Sequence, residues 1–529
     1  MSRYPVATSP RVAEGWTLTR LTPPSRLFGA NGLRTGPDGR LYVAQVSGSQ
    51  ISAIDIHSGA IETISPKGGD IVAPDDLAFD DAGHLYATEI TEGRVSVRAP
   101  NGSTRVLSAD VPVANPITFH QGRLFVGECR PNGRILELDR DDGRARVIAT
   151  DVPMPNAFSV GPDGKLYFPV MGTNEIWRVA LDGGAPEKVA GDLGVPDAVK
   201  FDAQGYIVST QVASGQVLRI DPRTGERTVL AQLMPGLDNL SFVGERLFVS
   251  NISGTVVELL KDGTTRDVVS DGLNWPLGLA VDDDGAIFVA DGPFSWTLHP
   301  DGRRELAGLL FAPGYPGYAR GVAACGGGEF LVTTANGAVA RYRPAQQWSE
   351  EIASGFDQLY GVALAPGGTA VFAELGGGRV LSANKGAVDT LASGLRQPSG
   401  VVVDAQGTVY VSESGGGRVL RLVKGGKPET VLDGLRQPQG LLLRDGALFV
   451  IDAGSQELIR YDLARRTRVV VASALPIGAP PGVVPKPLAA IGVLSGPMGP
   501  FAGLAAAADG TLYLSADGEG SVMRLSPAR

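Results

Sequence analysis

Residues 398–414 read PSGVVVDAQGTVYVSES. A proline-led turn feeds a short apolar run, an Asp-x-x-Gly turn reverses the chain, and a second run follows with apolar residues at every other position. Alternation of period two between glycine-bearing turns is the pattern of paired antiparallel strands. The same phrase recurs as NGLRTGPDGRLYVAQ at 31–45, PDDLAFDDAGHLYATE at 74–89 and PQGLLLRDGALFVIDAG at 438–454. Its register is marked by the residue at the aromatic position of the second run. That residue is Tyr42, Tyr86, Phe125, Tyr167, Ile207, Phe248, Phe288, Leu331, Val371, Tyr410, Phe449 and Tyr513. The spacing is 39 to 44 residues throughout, except for the final interval of 64. A period near 40 with four strand-like segments is the signature of β-propeller blades.

One blade has two apolar faces and cannot bury both alone, so blades stack around an axis and close into a ring. Rings of four to eight blades are usual. Twelve repeats therefore predict an all-β chain of two six-bladed propellers, residues 1–273 and 274–529. A single twelve-bladed ring and one ring inserted into another are the alternative layouts. The long last interval holds an insertion, ALPIGAPPGVVPKPLAAIGVLSGPMG at 474–499, rich in proline and glycine. A segment of that length reads either as a lid or partner-contact loop, or as an ordered crossover. The twelfth repeat has three strand-like segments and then stops, while the N-terminus has a spare one, GWTLTRLTP. Pairing the two would close a ring and remove an exposed edge.

Composition sets the function classes. The chain of 529 residues contains 72 glycines, 19% charged residues and a net charge of −9. It has no basic stripe, which argues against nucleic acid and anionic membrane as partners. Cys129 and Cys325 lie in different repeats and form neither a disulfide framework nor a zinc motif. The N-terminus lacks a hydrophobic signal core and no apolar run spans a bilayer, so a cytoplasmic location is expected.

The chemistry lies in one column, two positions before the first apolar strand residue of each repeat. In the first half it reads Asn31, Asp75, Asn115, Asn156, Asp197 and Asp238; in the second it reads Leu277, Arg320, Tyr360, Ser399, Gln439 and Ala502. Turn preference alone would favour Asp and Asn in both halves. Only the first half has them. Side chains leading into the innermost strand converge at the mouth of the central channel. A converging ring of carboxylates and amides calls for a compensating charge, and a divalent cation with oxygen ligands supplies it, calcium first, with zinc, manganese and magnesium as alternatives. Three or four of the six side chains would ligate, and water would complete the shell.

A second column, read at the far end of the same inner strand, is Gln45, Glu89, Glu128, Val170, Thr210 and Asn251. In the second half it is Asp291, Thr334, Glu374, Glu413, Asp452 and Ala516. Glu89 and Glu128 would line the channel or act on a substrate proton. The competing reading is a blade-to-blade hydrogen bond, since acids fill this column in both halves. The four histidines, His57, His84, His120 and His299, stand outside the first column, and no Ser-His-Asp or Cys-His grouping is present.

The pieces ANGL with Asn31, VPDAVKFDAQGYIVST with Asp197, and GLDNLSF with Asp238 and Asn239 resemble the calcium-dependent phosphotriesterase superfamily, which includes the gluconolactonase/regucalcin group and the paraoxonases. The resemblance implies a six-bladed propeller whose channel-mouth ion, held by Asp, Asn and Glu, assists hydrolysis of lactones or esters. Carried onto this chain, Asn31, Asn156, Asp197 and Asp238 are the implied ligands, with Asp75 and Asn115 next. The sequence departs from that pattern in having no Glu ligand in its first repeat. The blade pattern is also similar to strictosidine synthase-like proteins and to streptogramin lyases, whose catalytic histidine has no counterpart here. The second half, with QPSGVVVD and QPQGLLL, resembles NHL-type repeats, which implies partner binding or support.

The functional expectation is a metal-dependent hydrolase acting on a small-molecule lactone or ester at the mouth of the first propeller. Asp197 or Asp75 would take the proton, with Glu89 and Glu128 in reserve. A metal-assisted lyase or cyclase, and a non-catalytic scaffold with a structural ion and a protein partner on the second propeller, are the rival readings.

Overall fold

The first blade shows how the repeat builds. Strands Leu33–Thr35, Leu41–Gln45, Gln50–Ile54 and Ile61–Ser65 pair in sequence order, each antiparallel to the next. The turn between the first two is set locally: Asp38 accepts the Arg40 backbone N–H at 3.1 Å and Gly39 takes φ 77°, in the region glycine favours. The second and third strands are buried along their whole length and the fourth is mostly exposed. Inner strands are thus pressed between neighbouring blades while the outer edge meets water, as the two-faced apolar pattern requires.

The computed structural model describes residues 3–4, 9–270, 272–423 and 425–528. Among these residues there is no α-helix, and no helix long and apolar enough to cross a membrane. Twelve sheets are present: eleven of four strands and one of five. They fall into two compact units.

One unit is Leu27–Asp271 together with Val483–Val493. It holds the first six blades. Its ring closes by packing between two complete blades: Phe248, Val256 and Val269 of the sixth lie against Leu33, Leu41 and Ile54 of the first. Thr35 seals the seam by donating its hydroxyl to the Phe242 carbonyl at 2.7 Å.

The other unit is Met1–Arg26, Gly272–Gly482 and Leu494–Arg529. Its last blade contains Leu504–Ala506, Leu512–Ala516 and Ser521–Pro527, and the fourth strand is Trp16–Arg20 from the other end of the chain. The register runs from Trp16 opposite Pro527 to Arg20 opposite Met523. Arg20 pairs with Glu519 at 2.7 Å, and the Trp16 and Phe449 rings meet edge to face at 6.4 Å. Arg11–Val12 adds a fifth strand to the preceding blade. The spare N-terminal strand therefore does complete the twelfth blade.

This corrects the consecutive division at residue 273. The first 26 residues belong with the second propeller, because three strands leave an open edge that only this segment fills. In chain order the first propeller is inserted into the second. The insertion 474–499 is itself divided: residues 483–493 go with the first propeller, while Leu475 and Ile477 enter the core of the second.

Candidate functional site

The six Asp and Asn side chains of the first column sit where the inner strands of the first propeller begin. All are buried, with relative exposures between 4% and 9%. They meet one another. Asn31 donates its amide to Asp238 Oδ2 at 3.1 Å, and Asn156 donates to Asp197 Oδ2 at 3.0 Å. The amides are oriented by backbone: Asn31 Oδ1 accepts from the Val46 N–H at 3.2 Å and Asn156 Oδ1 from the Ala157 N–H at 2.8 Å. Asp75 accepts no hydrogen bond on its carboxylate among the described residues.

The electrostatics follow from this convergence. Burial, then the charge of Asp76, pushes Asp75 up to about 8. Burial raises Asp197 well above the usual carboxylate range, and Asp75 and Asp76 raise it further. Asp238 is raised by burial and by Asp197 and Asp75, against the pull of its Asn31 hydrogen bond. None of the three pairs with Lys or Arg among the described residues. The Cys129 thiol, buried beside Asn115, is also pushed up by desolvation and by Asp75 and Asp197, so it faces the same acids. Three buried carboxylates share this mouth with no ion pair to a protein cation among the described residues; Lys200 offsets only part of the rise of Asp197.

The donor set fits a cation that prefers oxygen. Among the described residues no group of three or more His, Cys, Asp or Glu is placed to hold an ion by itself. An ion here would therefore have to draw on the amide oxygens as well as the acids. The Asn31–Asp238 and Asn156–Asp197 pairs, with Asp75 and Asn115 around them, supply that mixed set.

Glu89 and Glu128 do not join the ring. They end the second strand of their blades, not the innermost, and they clamp the chain. Glu89 accepts from the Val72 N–H and from Arg94, each at 2.7 Å, and from Ser96. Glu128 accepts from Arg130 at 2.7 Å and from the Arg134 N–H at 3.1 Å. Burial works to raise Glu128, but its Arg134 and Arg130 hydrogen bonds outweigh it and hold the group low. The same position clamps incoming backbone in the second half, where Asp291 takes the Trp275 N–H, Glu374 that of Asp357 and Asp452 that of Gln437. In the fifth blade the clamp is Gln211, which accepts from the Gly194 N–H at 3.0 Å, and not Thr210. Thr210 stands one place earlier and bonds the Asp238 carbonyl of the next blade. The catalytic assignment of Glu89 and Glu128 is thus replaced by a structural one. Glu89→Ala is expected to cost about 2–4 kcal/mol, because the Val72 N–H and Ser96 lose a buried acceptor. Urea unfolding checks this, and turnover should change by less than about threefold since no ring residue moves.

Deeper residues were missed by the column reading. Asp76, next to Asp75, is buried and accepts from the Ile117 N–H at 3.1 Å. It also receives Asn239 from the sixth blade at 3.4 Å and lies 3.5 Å from Arg34. Lys200, three residues beyond Asp197, is buried as well. For Lys200 the signal available in the sequence is that Arg34 stands at the same offset, three residues past the ring position of its own repeat.

Residues 25–253 match the family model described as the SMP-30/Gluconolactonase/LRE-like region. That span falls almost wholly within the first propeller. The first propeller resembles the gluconolactonases. No curated protein matches the chain. Among solved structures, a streptogramin B lyase is 18% identical, covering 53% of this chain and 97% of its own, with a TM-score of 0.39. A virginiamycin B lyase from Staphylococcus aureus is 19% identical, covering 52% and 96%, with a TM-score of 0.38. A candidate gluconolactonase is 18% identical, covering 49% and 95%, with a TM-score of 0.39. The gluconolactonase-like propeller is the half of this chain that carries the Asp/Asn ring.

Proposed function

We propose that the first propeller hydrolyses a lactone or related ester at its Asp/Asn ring with the help of a divalent cation. The observation that carries this reading is the meeting of Asp75, Asp197 and Asp238 in a buried mouth without an ion pair to a cationic side chain among the described residues, within the gluconolactonase-like half. A bound cation, calcium first among the candidates, would supply Lewis-acid polarisation of the ester carbonyl and acidify a water.

The residues divide the remaining work. Asn31 and Asn156 fix the rotamers of Asp238 and Asp197 by donating to one oxygen of each carboxylate. Asp75, with both oxygens open, is the acceptor for the proton of the attacking water, and Asp197 is the alternative. The water oxygen bonds to the carbonyl carbon, the ester C–O bond breaks, and the held proton passes to the departing alkoxide. Burial, then Asp76, pushes Asp75 up to about 8, so it can take up a proton near neutral pH as a general base must. The second propeller has no equivalent ring. At the matching position Arg320 lies over Tyr360 at 4.8 Å and Tyr360 meets Phe501 at 5.8 Å, so its channel mouth is filled by side chains.

The test is metal analysis of purified protein, thermal unfolding with calcium, manganese and zinc, and turnover on a lactone panel with and without chelator. Bound divalent metal, a rise in unfolding temperature and chelator-sensitive hydrolysis are expected. Absence of both bound metal and any thermal shift would end the hydrolase reading. A metal-dependent elimination product in place of a hydroxy acid would move it to a lyase.

A further inference from the structure

Three residues further along the inner strands of the first propeller, about 10 Å from the ring, the corresponding column is Arg34, Ala78, Thr118, Ser159, Lys200 and Ser241. It contains two cations and three hydroxyls, and no acid. Arg34 is well anchored: it donates to the Leu77 carbonyl at 2.7 Å and the Ile117 carbonyl at 2.8 Å, and it faces Asp76. Lys200 is not. Its relative exposure is 9%, its one hydrogen bond goes to the Phe158 carbonyl at 3.3 Å, and it forms no ion pair among the described residues. Two of its three N–H donors are left without a protein acceptor.

The charge count is unbalanced at this level. Within the layer two cations face one carboxylate, Asp76, which Arg34 already holds; the other acid acting on Lys200, Asp197, belongs to the ring three residues away. A buried ammonium without a counter-ion costs several kcal/mol unless something compensates it. The charged groups acting on Lys200 are Arg34, Asp76 and Asp197. Burial, then repulsion from Arg34, brings its pKa down to about 7 despite both acids. The side chain is therefore poised to gain from a negative partner. Thr118, with a relative exposure of 6%, stands in the same layer, while the Ser241 hydroxyl is taken by Thr35 at 2.8 Å; Arg34 keeps 16% of its side chain accessible.

We propose that Arg34, Lys200 and Thr118 form a binding site for a small oxyanion in the first propeller, separate from the Asp/Asn ring. The ligand carries a phosphate, sulfate or carboxylate group. Arg34, its Nε and Nη2 held by the Leu77 and Ile117 carbonyls, offers its Nη1 donors, and Lys200 offers a point charge. The site does not depend on the hydrolase reading, because none of its members belongs to the ring.

The test uses the full chain at pH 6.5, with chloride setting a constant ionic strength. Sodium phosphate, sulfate and acetate are titrated calorimetrically, and thermal unfolding is followed in parallel. At roughly 100 times the dissociation constant, the anion should raise the first propeller's unfolding temperature by about 5 °C. Lys200→Met should lose that response while being at least as stable as the wild type without anion, since an uncompensated buried charge is gone. Lys200→Arg should keep it, and so should Asp238→Asn, which alters only the ring. A response to phosphate and sulfate names a tetrahedral oxyanion, and a response to acetate alone names a carboxylate. Equal responses to all salts including chloride, or a Lys200→Met protein that responds like the wild type, would overturn the proposal. So would a Lys200→Met protein that is less stable without anion, because Asp76 and Asp197 would then be the partners that the charge serves.

Discussion

Asp197→Asn is expected to stabilise the cation-free protein above pH 7 and to abolish its lactone turnover. The two effects come from one cause. In the folded chain Asp197, Asp75 and Asp238 are all held above the ordinary carboxylate range, chiefly by burial, then by Asp76 for Asp75 and by neighbouring ring acids for Asp197 and Asp238. Between the unfolded value near 4 and the raised folded values, reaching about 8 for Asp75, the native state binds more protons than the unfolded one. Stability therefore falls as pH rises through that window, at about 1.4 kcal/mol per pH unit for each such group. Asn keeps the shape and removes one charge, so the chelated variant should unfold later than the wild type at pH 8 and show a shallower pH slope. The same change withdraws an anionic oxygen from any bound cation. The added-cation stabilisation should shrink, and kcat/KM should fall by about 10²-fold or more. Urea unfolding from pH 5 to 8, with and without chelator, and turnover on the wild type's best lactone read both halves. Unchanged turnover in Asp197→Asn, or wild-type stability that rises with pH in chelator, would contradict the account of the ring.

Removal of residues 1–20 should unfold the second propeller and leave the first intact. The lost strand Trp16–Arg20 makes five register pairs with Met523–Pro527. Trp16 and Leu18 pack onto the apolar cluster containing Phe449, Leu512 and Leu525. Both side chains are partly buried, which is worth about 1 kcal/mol each, and the ladder hydrogen bonds add about 1 kcal/mol apiece. The sum approaches the 5–15 kcal/mol by which a whole domain is held folded. The truncated chain also exposes an unpaired edge, which invites aggregation. Hydrogen exchange should show residues 504–527 and the adjoining blade losing protection while residues 27–270 keep theirs. Since the first ring closes between its own complete blades, lactone turnover should survive. Full protection of the twelfth blade after truncation would show that its closure does not need the N-terminal strand.

Some elements were readable directly and others were not. The Asp/Asn column was visible because turn and strand chemistry repeat in every blade, so a difference between halves stands out. The second column misled at Glu89 and Glu128. Their identity as acids is a local fact, but the arginines and backbone amides that consume them come from the fold. In the fifth repeat the register position is Val208, opposite Lys200 as Tyr86 is opposite Ala78; Tyr206 lies two places before it, and a marker at Ile207 puts the clamp at Thr210 in place of Gln211. Asp76 and Lys200 are not legible in a single repeat, because the groups they meet, the Ile117 N–H, Asn239 and Arg34 for Asp76 and the Phe158 carbonyl for Lys200, come from other blades.

The sequence by itself determined the blade, the number of blades, and which half would gather oxygen-bearing side chains. Those properties rest on period-two alternation and on turn residues, whose preferences act over a few neighbours. Only the tertiary structure decided that the N-terminal strand closes the last ring and that residues 483–493 join the first. It alone separated acids clamped by arginine from acids left facing one another. Ring closure, desolvation and charge coupling depend on groups brought together from positions up to some five hundred residues apart, and no local pattern encodes that distance.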